Sequence, residues 1–212
     1  MDKYRVGLAS MIFGLLVGPA SAQDFSATAG LGLEYYNAPS LSKYFAGTTG
    51  GVTPGTYMTS VQLEAGAECF IASDWAIGIE YAYLTNQSNG NGYQISYSYS
   101  LPTVILRRVI AGDNYYLRFG GGIGYHSSSL SELILNTQDY SSSGIGLKFD
   151  GAIDTKLNED FYVRVDVDAR SEFMGNLKSK TNGSVLTNFN DSSRVNSNLS
   201  GVGVTFGLVY YF

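Results

Sequence analysis

The sequence predicts an all-β protein: an eight-stranded antiparallel up-and-down transmembrane β-barrel preceded by a signal peptide. Three observations predict it. Apolar side chains recur at every second position through most of the chain, the period that gathers them on one face of a strand. The connections between these strands alternate between short and long. Beyond the N-terminus no stretch holds the ~20 apolar residues that a spanning helix needs, so any crossing belongs to strands. Alternation also averages itself out, which is why mean hydropathy is close to zero.

The N-terminus reads as an export signal. Lys3 and Arg5 precede an apolar run centred on Met11, Ile12, Phe13, Leu15, Leu16 and Val17. Pro19 follows, then Ala20, Ser21 and Ala22, and the small residues Ala20 and Ala22 mark a cleavage site. Residues 1–22 are therefore expected to be a signal peptide and 23–212 a single barrel domain. Loss of Asp2, Lys3 and Arg5 moves the net charge from −5 to −6, which argues against nucleic acid as a partner. The single cysteine, Cys69, cannot form an internal disulfide, and its phase places it as a small hydrophobe on an outer face.

The strands follow in order. The first sets Phe25, Ala27, Ala29, Leu31, Leu33 and Tyr35 against Ser26, Thr28, Gly30, Gly32 and Glu34. The second points Val61, Leu63, Ala65, Ala67 and Cys69 outward, with Gln62, Glu64 and Glu68 inward. The third carries Trp75, Ile77, Ile79, Tyr81 and Tyr83 outward and Glu80 inward. The fourth opens with Tyr93, Ile95, Tyr97, Tyr99 and Leu101 alternating with Gln94 and serines, until Pro102 demands a bulge or a strand end. The phase of 104–110 is not fixed by the pattern.

The fifth strand sets Tyr115, Leu117, Phe119, Ile123 and Tyr125 outward, with Arg118, Gly120, Gly122, Gly124 and His126 inward. The sixth opposes Ile145, Leu147, Phe149 and Ile153 to Lys148, Asp150 and Asp154. The seventh is the clearest, with Phe161, Val163, Val165, Val167 and Ala169 outward against Tyr162, Arg164, Asp166, Asp168 and Arg170. The eighth ends the chain: Val204, Phe206, Leu208, Tyr210 and Phe212 share one wholly apolar face.

Connections at 72–74, 111–114 and 157–160 are short, whereas 37–57, 85–92, 127–143 and 171–198 are long. The long ones are rich in Ser, Asn, Thr and Gly, a composition expected to stay hydrated and mobile. One strand assignment also produces two aromatic rims. Phe25, Phe70, Trp75, Tyr115, Phe161 and Phe212 fall near one, and Tyr35, Tyr83, Tyr93, Tyr125 and Phe173 near the other. A soluble β-sandwich would share the alternation, but its wetted faces should be rich in exposed Lys and Glu rather than Ser, Gly and opposed charges.

The final strand, ending on Phe212 with Tyr210 two residues before, resembles the C-terminal insertion signal of bacterial outer-membrane β-barrel proteins. Residues 25–212 are similar to the small barrels of the OmpA-domain, OmpX and opacity-protein superfamily. That resemblance implies location in the outer membrane, contact with its lipid and lipopolysaccharide, and recognition by the barrel-assembly machinery. The implied role is structural or surface-interactive, through outer loops that meet host or neighbouring-cell molecules. The alternative is a narrow small-solute channel of the OmpW type.

Eight strands enclose a lumen that side chains just fill. Its predicted content is an ion-pair network of Glu34, Glu64, Glu68, Glu80, Asp150, Asp154, Asp166 and Asp168 with Arg118, Lys148, Arg164 and Arg170. Arg118 and Arg164 are expected to flank Asp150 and Asp154. The sole histidine, His126, is followed by Ser127, Ser128 and Ser129. His-x-Ser at a strand end is similar to the lipid A 3-O-deacylase family, which would make Ser128 the nucleophile and His126 its base. The pattern departs from the family at Ser129, where the family has Asn. The third member, Glu132 or Asp139, is poorly placed, and the phase aims His126 at the lumen. No enzyme is therefore expected. No metal or cofactor motif is present in the sequence.

Overall fold

The computed structural model describes residues 25–48, 57–90, 93–133 and 137–212. The stretch read as a signal peptide, with Ala20 and Ala22, lies outside them. Eight strands make the wall: β1 (Phe25–Asn37), β2 (Tyr57–Ala72), β3 (Trp75–Gly90), β4 (Tyr93–Ala111), β5 (Tyr115–Leu133), β6 (Thr137–Lys156), β7 (Phe161–Met174) and β8 (Leu199–Tyr211). Each pairs antiparallel with its neighbour in sequence. β8 pairs back onto β1, from Ser26 opposite Tyr211 to Asn37 opposite Ser200, and closes the barrel. Closure leaves no free edge to satisfy.

Within the apolar band the wall keeps one phase; the β2–β3 register shifts at the short-turn end, between Phe70 and Ala72. Leu31, Leu33, Leu63, Ile79, Phe119, Phe149, Val167 and Phe206 are exposed, while the carboxylates and guanidinium groups between them are buried. An apolar exterior around a polar interior inverts the order of a water-soluble protein and fits a hydrocarbon surround. Outside the short-turn rim, Tyr210 packs on Phe161 and Phe212, with ring centroids 4.8 and 4.7 Å away.

β4 shows how the pattern changes along a strand. A crossing uses ~9–11 residues, but β4 and β5 each have 19 and β6 has 20. The surplus projects past the apolar band. There the polarity reverses: Ile95, Tyr97, Tyr99 and Leu101 are buried in the barrel, and Ser96, Ser98 and Ser100 are partly exposed outside. The apolar face of this stretch therefore fills the lumen and adds nothing to an outer belt; Tyr93's side chain lies outside the described residues. Lower down, Thr103, Ile105, Arg107 and Val109 continue inward and Val104, Leu106 and Ile110 face out.

Pro102 causes neither a bulge nor a strand end. It faces out opposite Tyr81 on β3. On the β5 side the pairing lapses at Leu101 and Pro102, then resumes in the same register at Thr103 opposite Gly124. The missing donor costs a local gap in one ladder rather than a shift.

Over their described residues, all four long connections are also more ordered than their composition implied. Most of 85–92 and 127–143 is strand. Residues 39–48 form α1 (Pro39–Thr48), with proline at its first turn and Leu41, Tyr44 and Phe45 on its buried face. Segment 175–198 doubles back through bridges Asn176–Asn196, Lys178–Val185 and Thr187–Arg194, and buries Leu177, Leu186 and Val195. It is a folded cap, not a wet tail.

Candidate functional site

From the short-turn end outward, the interior is stacked in tiers. The first is aromatic. Tyr162 and Tyr211 lie 4.9 Å apart, and Tyr116 stands 5.4 and 5.2 Å from them. The Arg118 guanidinium sits 5.7 Å from the rings of both Phe70 and Tyr211, within cation–π range.

The second tier is ionic. Arg118 and Arg164 both hold Asp154, at 2.8 and 2.6 Å through their Nε atoms, and the Tyr211 hydroxyl donates to it at 3.0 Å. Asp150, expected between those two arginines, is held instead by Arg107, whose Nε donates to it at 2.8 Å, with Lys148 at 3.9 Å. Arg107 also pairs with Glu68 and, at 2.8 Å, with Glu80. Arg118 reaches Glu68 as well. Lys148 bridges Glu80 and Glu64, the latter at 3.2 Å. Arg170 holds Asp168 at 2.9 Å and stands 3.4 Å from Glu34. Asp166 is buried with neither carboxylate oxygen hydrogen-bonded among the described residues. Eight carboxyl groups face five basic groups here.

Above it lies the histidine. His126 places Nδ1 against the Glu172 carboxylate and Nε2 3.2 Å from the Thr103 hydroxyl. Gly124 and Gly146 are required beside it, because a Cβ on either would collide with the imidazole. Ser128 turns its hydroxyl to Ser197 at 2.7 Å. The His126–Ser128 pair that a hydrolase needs is not formed. Thr103, His126 and Glu172 do fall in hydroxyl–imidazole–carboxylate order, but all three are at most 5 % exposed, and Thr103 donates to the Leu101 carbonyl at 3.3 Å.

The next tier is apolar: Tyr36, Leu41, Tyr44, Phe45, Leu84, Tyr97, Tyr99, Leu177, Val195 and Leu199 pack together across the mouth. α1 and the folded segment 175–198 supply its outer half. Above it, Tyr44, Glu132, Tyr140, Leu186, Asn188 and Phe189 line a cavity of about 600 Å³ between α1, the β5–β6 hairpin and the final segment. Burial pushes the Glu132 carboxyl up from its ordinary value, against the opposing pull of the Tyr44 hydroxyl that donates to it at 2.9 Å. The exposed Asp191 is pulled down to about 2 by hydrogen bonds from Lys43 and Ser193. Its contact with Lys43 ties the final segment to α1.

A closed antiparallel barrel of eight strands, apolar outside and ionic within, is the architecture of small bacterial outer-membrane proteins. Solved structures of that kind share the fold. Neisserial surface protein A aligns over 89 % of this chain and 97 % of its own, with a TM-score of 0.56 at 12 % identity. Ail, the attachment invasion locus protein of Yersinia pestis, aligns over 91 % and 100 %, with 0.55 at 11 %. A major outer membrane protein of Thermus thermophilus aligns over 89 % and 99 %, with 0.57 at 11 %. No protein-family model and no curated protein sequence matches the chain.

Sequence reasoning missed Arg107, Glu172, Thr103 and α1. Arg107 sits in a run, 104–110, whose two faces are both apolar, so no contrast set its phase. Glu172 continues the inward series of Arg164, Asp166, Asp168 and Arg170 and was open to the same reading. The helix had a signal too: Pro39 followed by Leu41, Tyr44 and Phe45 at helical spacing.

Proposed function

We propose that this protein resides in the bacterial outer membrane and acts at the cell surface through its outer tip, as a structural or interaction protein rather than a pore or an enzyme. One observation carries the reading: the apolar tier across the mouth stands over an ion-paired lumen, while the strands that support it run well past the apolar band. Material is thus invested in presenting a surface and in filling the bore. Lipid and lipopolysaccharide contact the wall, the closing strand from Val204 to Phe212 is what assembly machinery would engage, and molecules of host or neighbouring cells would meet the tip. Two proteins of the same fold carry the names surface protein A and attachment invasion locus protein.

Expression in a non-adherent host strain tests the reading. Cells bearing the protein should bind a target cell layer or matrix, and cells bearing a barrel with segment 175–198 replaced by a short Gly-Ser link should not. A small cation channel is the second reading, favoured by the surplus of lumen carboxylates. Planar-bilayer recording separates the two, since resolved unitary currents from folded protein would establish the channel.

A further inference from the structure

The cavity at the outer tip is built to be filled. Glu132, 4 % exposed, lies in its wall, with Oε2 taken by Tyr44 and Oε1 buried without a donor among the described residues. Facing chain supplies Asn188, 5 % exposed. The Ser193 hydroxyl gives its one hydrogen to Asp191 at 2.7 Å, so it accepts from Asn188 Nδ2, also at 2.7 Å. That fixes the amide and leaves Asn188 Oδ1 as a second buried acceptor with no donor among the described residues. Buried acceptors are normally satisfied, and each one left bare is costly.

The remaining wall supplies aromatic and apolar surface. Phe189 is 73 % exposed and stacks on Tyr44 at 6.3 Å with rings 19° apart. Val185 and Leu186 add aliphatic surface, and Ser184, Thr187 and Ser192 add hydroxyls. The frame is braced: Lys43 pairs with Asp191, and Lys180 donates to Ser129 at 3.0 Å. Volume is within the ~300–1,000 Å³ usual for small-ligand sites.

From this geometry we infer that the tip cavity binds a sugar ring that is uncharged or carries an amine. Two bare acceptors call for a ligand with several donors, and ring hydroxyls or an ammonium supply them. The aromatic faces suit the apolar C–H face of a pyranose. A carboxylate in the wall repels sulfated and phosphorylated sugars, which separates this site from one for a heparin-like ligand. The inference rests on the surface-interaction reading above and gives it a ligand class.

Full-length protein folded in detergent micelles is titrated with methyl glucosaminide, N-acetylglucosamine, methyl galactoside and sucrose octasulfate, with binding followed by saturation-transfer NMR and calorimetry. At least one of the first three should bind saturably, and the octasulfate should not. Asn188→Ala and Phe189→Ala should each weaken the bound sugar about tenfold, the scale of one buried hydrogen bond or stacking face. Glu132→Gln should weaken an amino sugar by at least as much while retaining the heat-shifted gel mobility of a folded barrel. The same sugar linked to beads distinguishes a surface glycan, captured by cells bearing the protein, from a free sugar that only the micellar protein takes up. Binding of none of the three sugars, equal binding by all variants, or preference for the octasulfate overturns the inference. Retained cell adhesion in that case leaves the surface reading standing, and loss of both removes both.

Discussion

Arg107 and Arg108 are neighbours in sequence with opposite fates, and their replacement by Met is a sharp test of the strand phase. Arg107 is 2 % exposed and touches three carboxylates; Arg108 points out and among the described residues pairs with Asp74 alone, at 3.4 Å. Once Arg107 is gone, Glu68 keeps Arg118 and Glu80 keeps Lys148. Asp150 keeps only Lys148 at 3.9 Å and is in effect stranded. Stranding one buried charge costs about 3–5 kcal/mol. The weakened pairs on Glu68 and Glu80 put Arg107→Met at the top of that range. Arg108→Met loses an exposed pair and should cost no more than about 0.5 kcal/mol. Adding Asp150→Asn to Arg107→Met removes the stranded charge and should recover roughly half of the loss. The assay is urea unfolding of the barrel in lipid vesicles, followed by fluorescence of Trp75, the single tryptophan. Equal destabilisation by the two Met variants, or no recovery in the double variant, would refute the assigned phase and the ionic role of Arg107.

Phe206→Arg puts a charge on the lipid face opposite Leu31 and should destabilise the barrel by about 2–4 kcal/mol in vesicles, where Thr205→Ser on the inner face should cost far less. Gly183 has φ of 72° in open space, so Gly183→Ala should cost about 1 kcal/mol through backbone strain alone, read as earlier thermal loss of the tip fold by hydrogen exchange. Burial raises the pKa of the Glu132 carboxyl, so folding penalises its charged form. The tip's full stability is present below the ordinary carboxylate pKa and falls as pH rises through that value toward the raised one. Glu132→Gln should therefore protect tip amides more than the parent at pH 8 and equally at pH 4, and the opposite order would refute the burial of that charge.

Most of the wall was legible because one face of each strand was polar and the other apolar within the bilayer span. β7 is the clearest case, with Val163, Val165 and Val167 outside and Arg164, Asp166 and Asp168 inside. Legibility failed where the surroundings changed. Past the membrane edge water replaces lipid outside, so the greasy face of 95–101 turns inward although its alternation looks the same. Within 104–110 both faces are apolar, because Ile105 and Val109 pack inside beside Arg107, and the period carries no sign. Partner choice in the lumen was out of reach for another reason. Asp154 and Asp150 share one face of β6, and the stagger between strands decides which arginine meets which. Ordering of 175–198 was hidden by its polar composition, since among the described residues its buried apolar anchors are Leu177, Leu186 and Val195.

The two fillings of the bore answer different demands. In the bilayer span a polar interior lets the strands keep an alternating, low-hydropathy sequence that crosses the periplasm without resembling a membrane helix, and the resulting charges must then neutralise one another across the lumen. Beyond the bilayer that constraint ends, because the outer face is wet and an ordinary apolar core becomes possible. The tip thus has the construction of a small soluble domain set on a membrane pedestal: an apolar core from Tyr36, Tyr97, Leu177 and Val195, polar exteriors, and a helix tied down by Lys43 and Asp191. A core of that kind is wasted on loops that only cover a hole. It is what holds side chains such as Glu132, Asn188 and Phe189 in fixed relation, the condition for recognising something outside the cell.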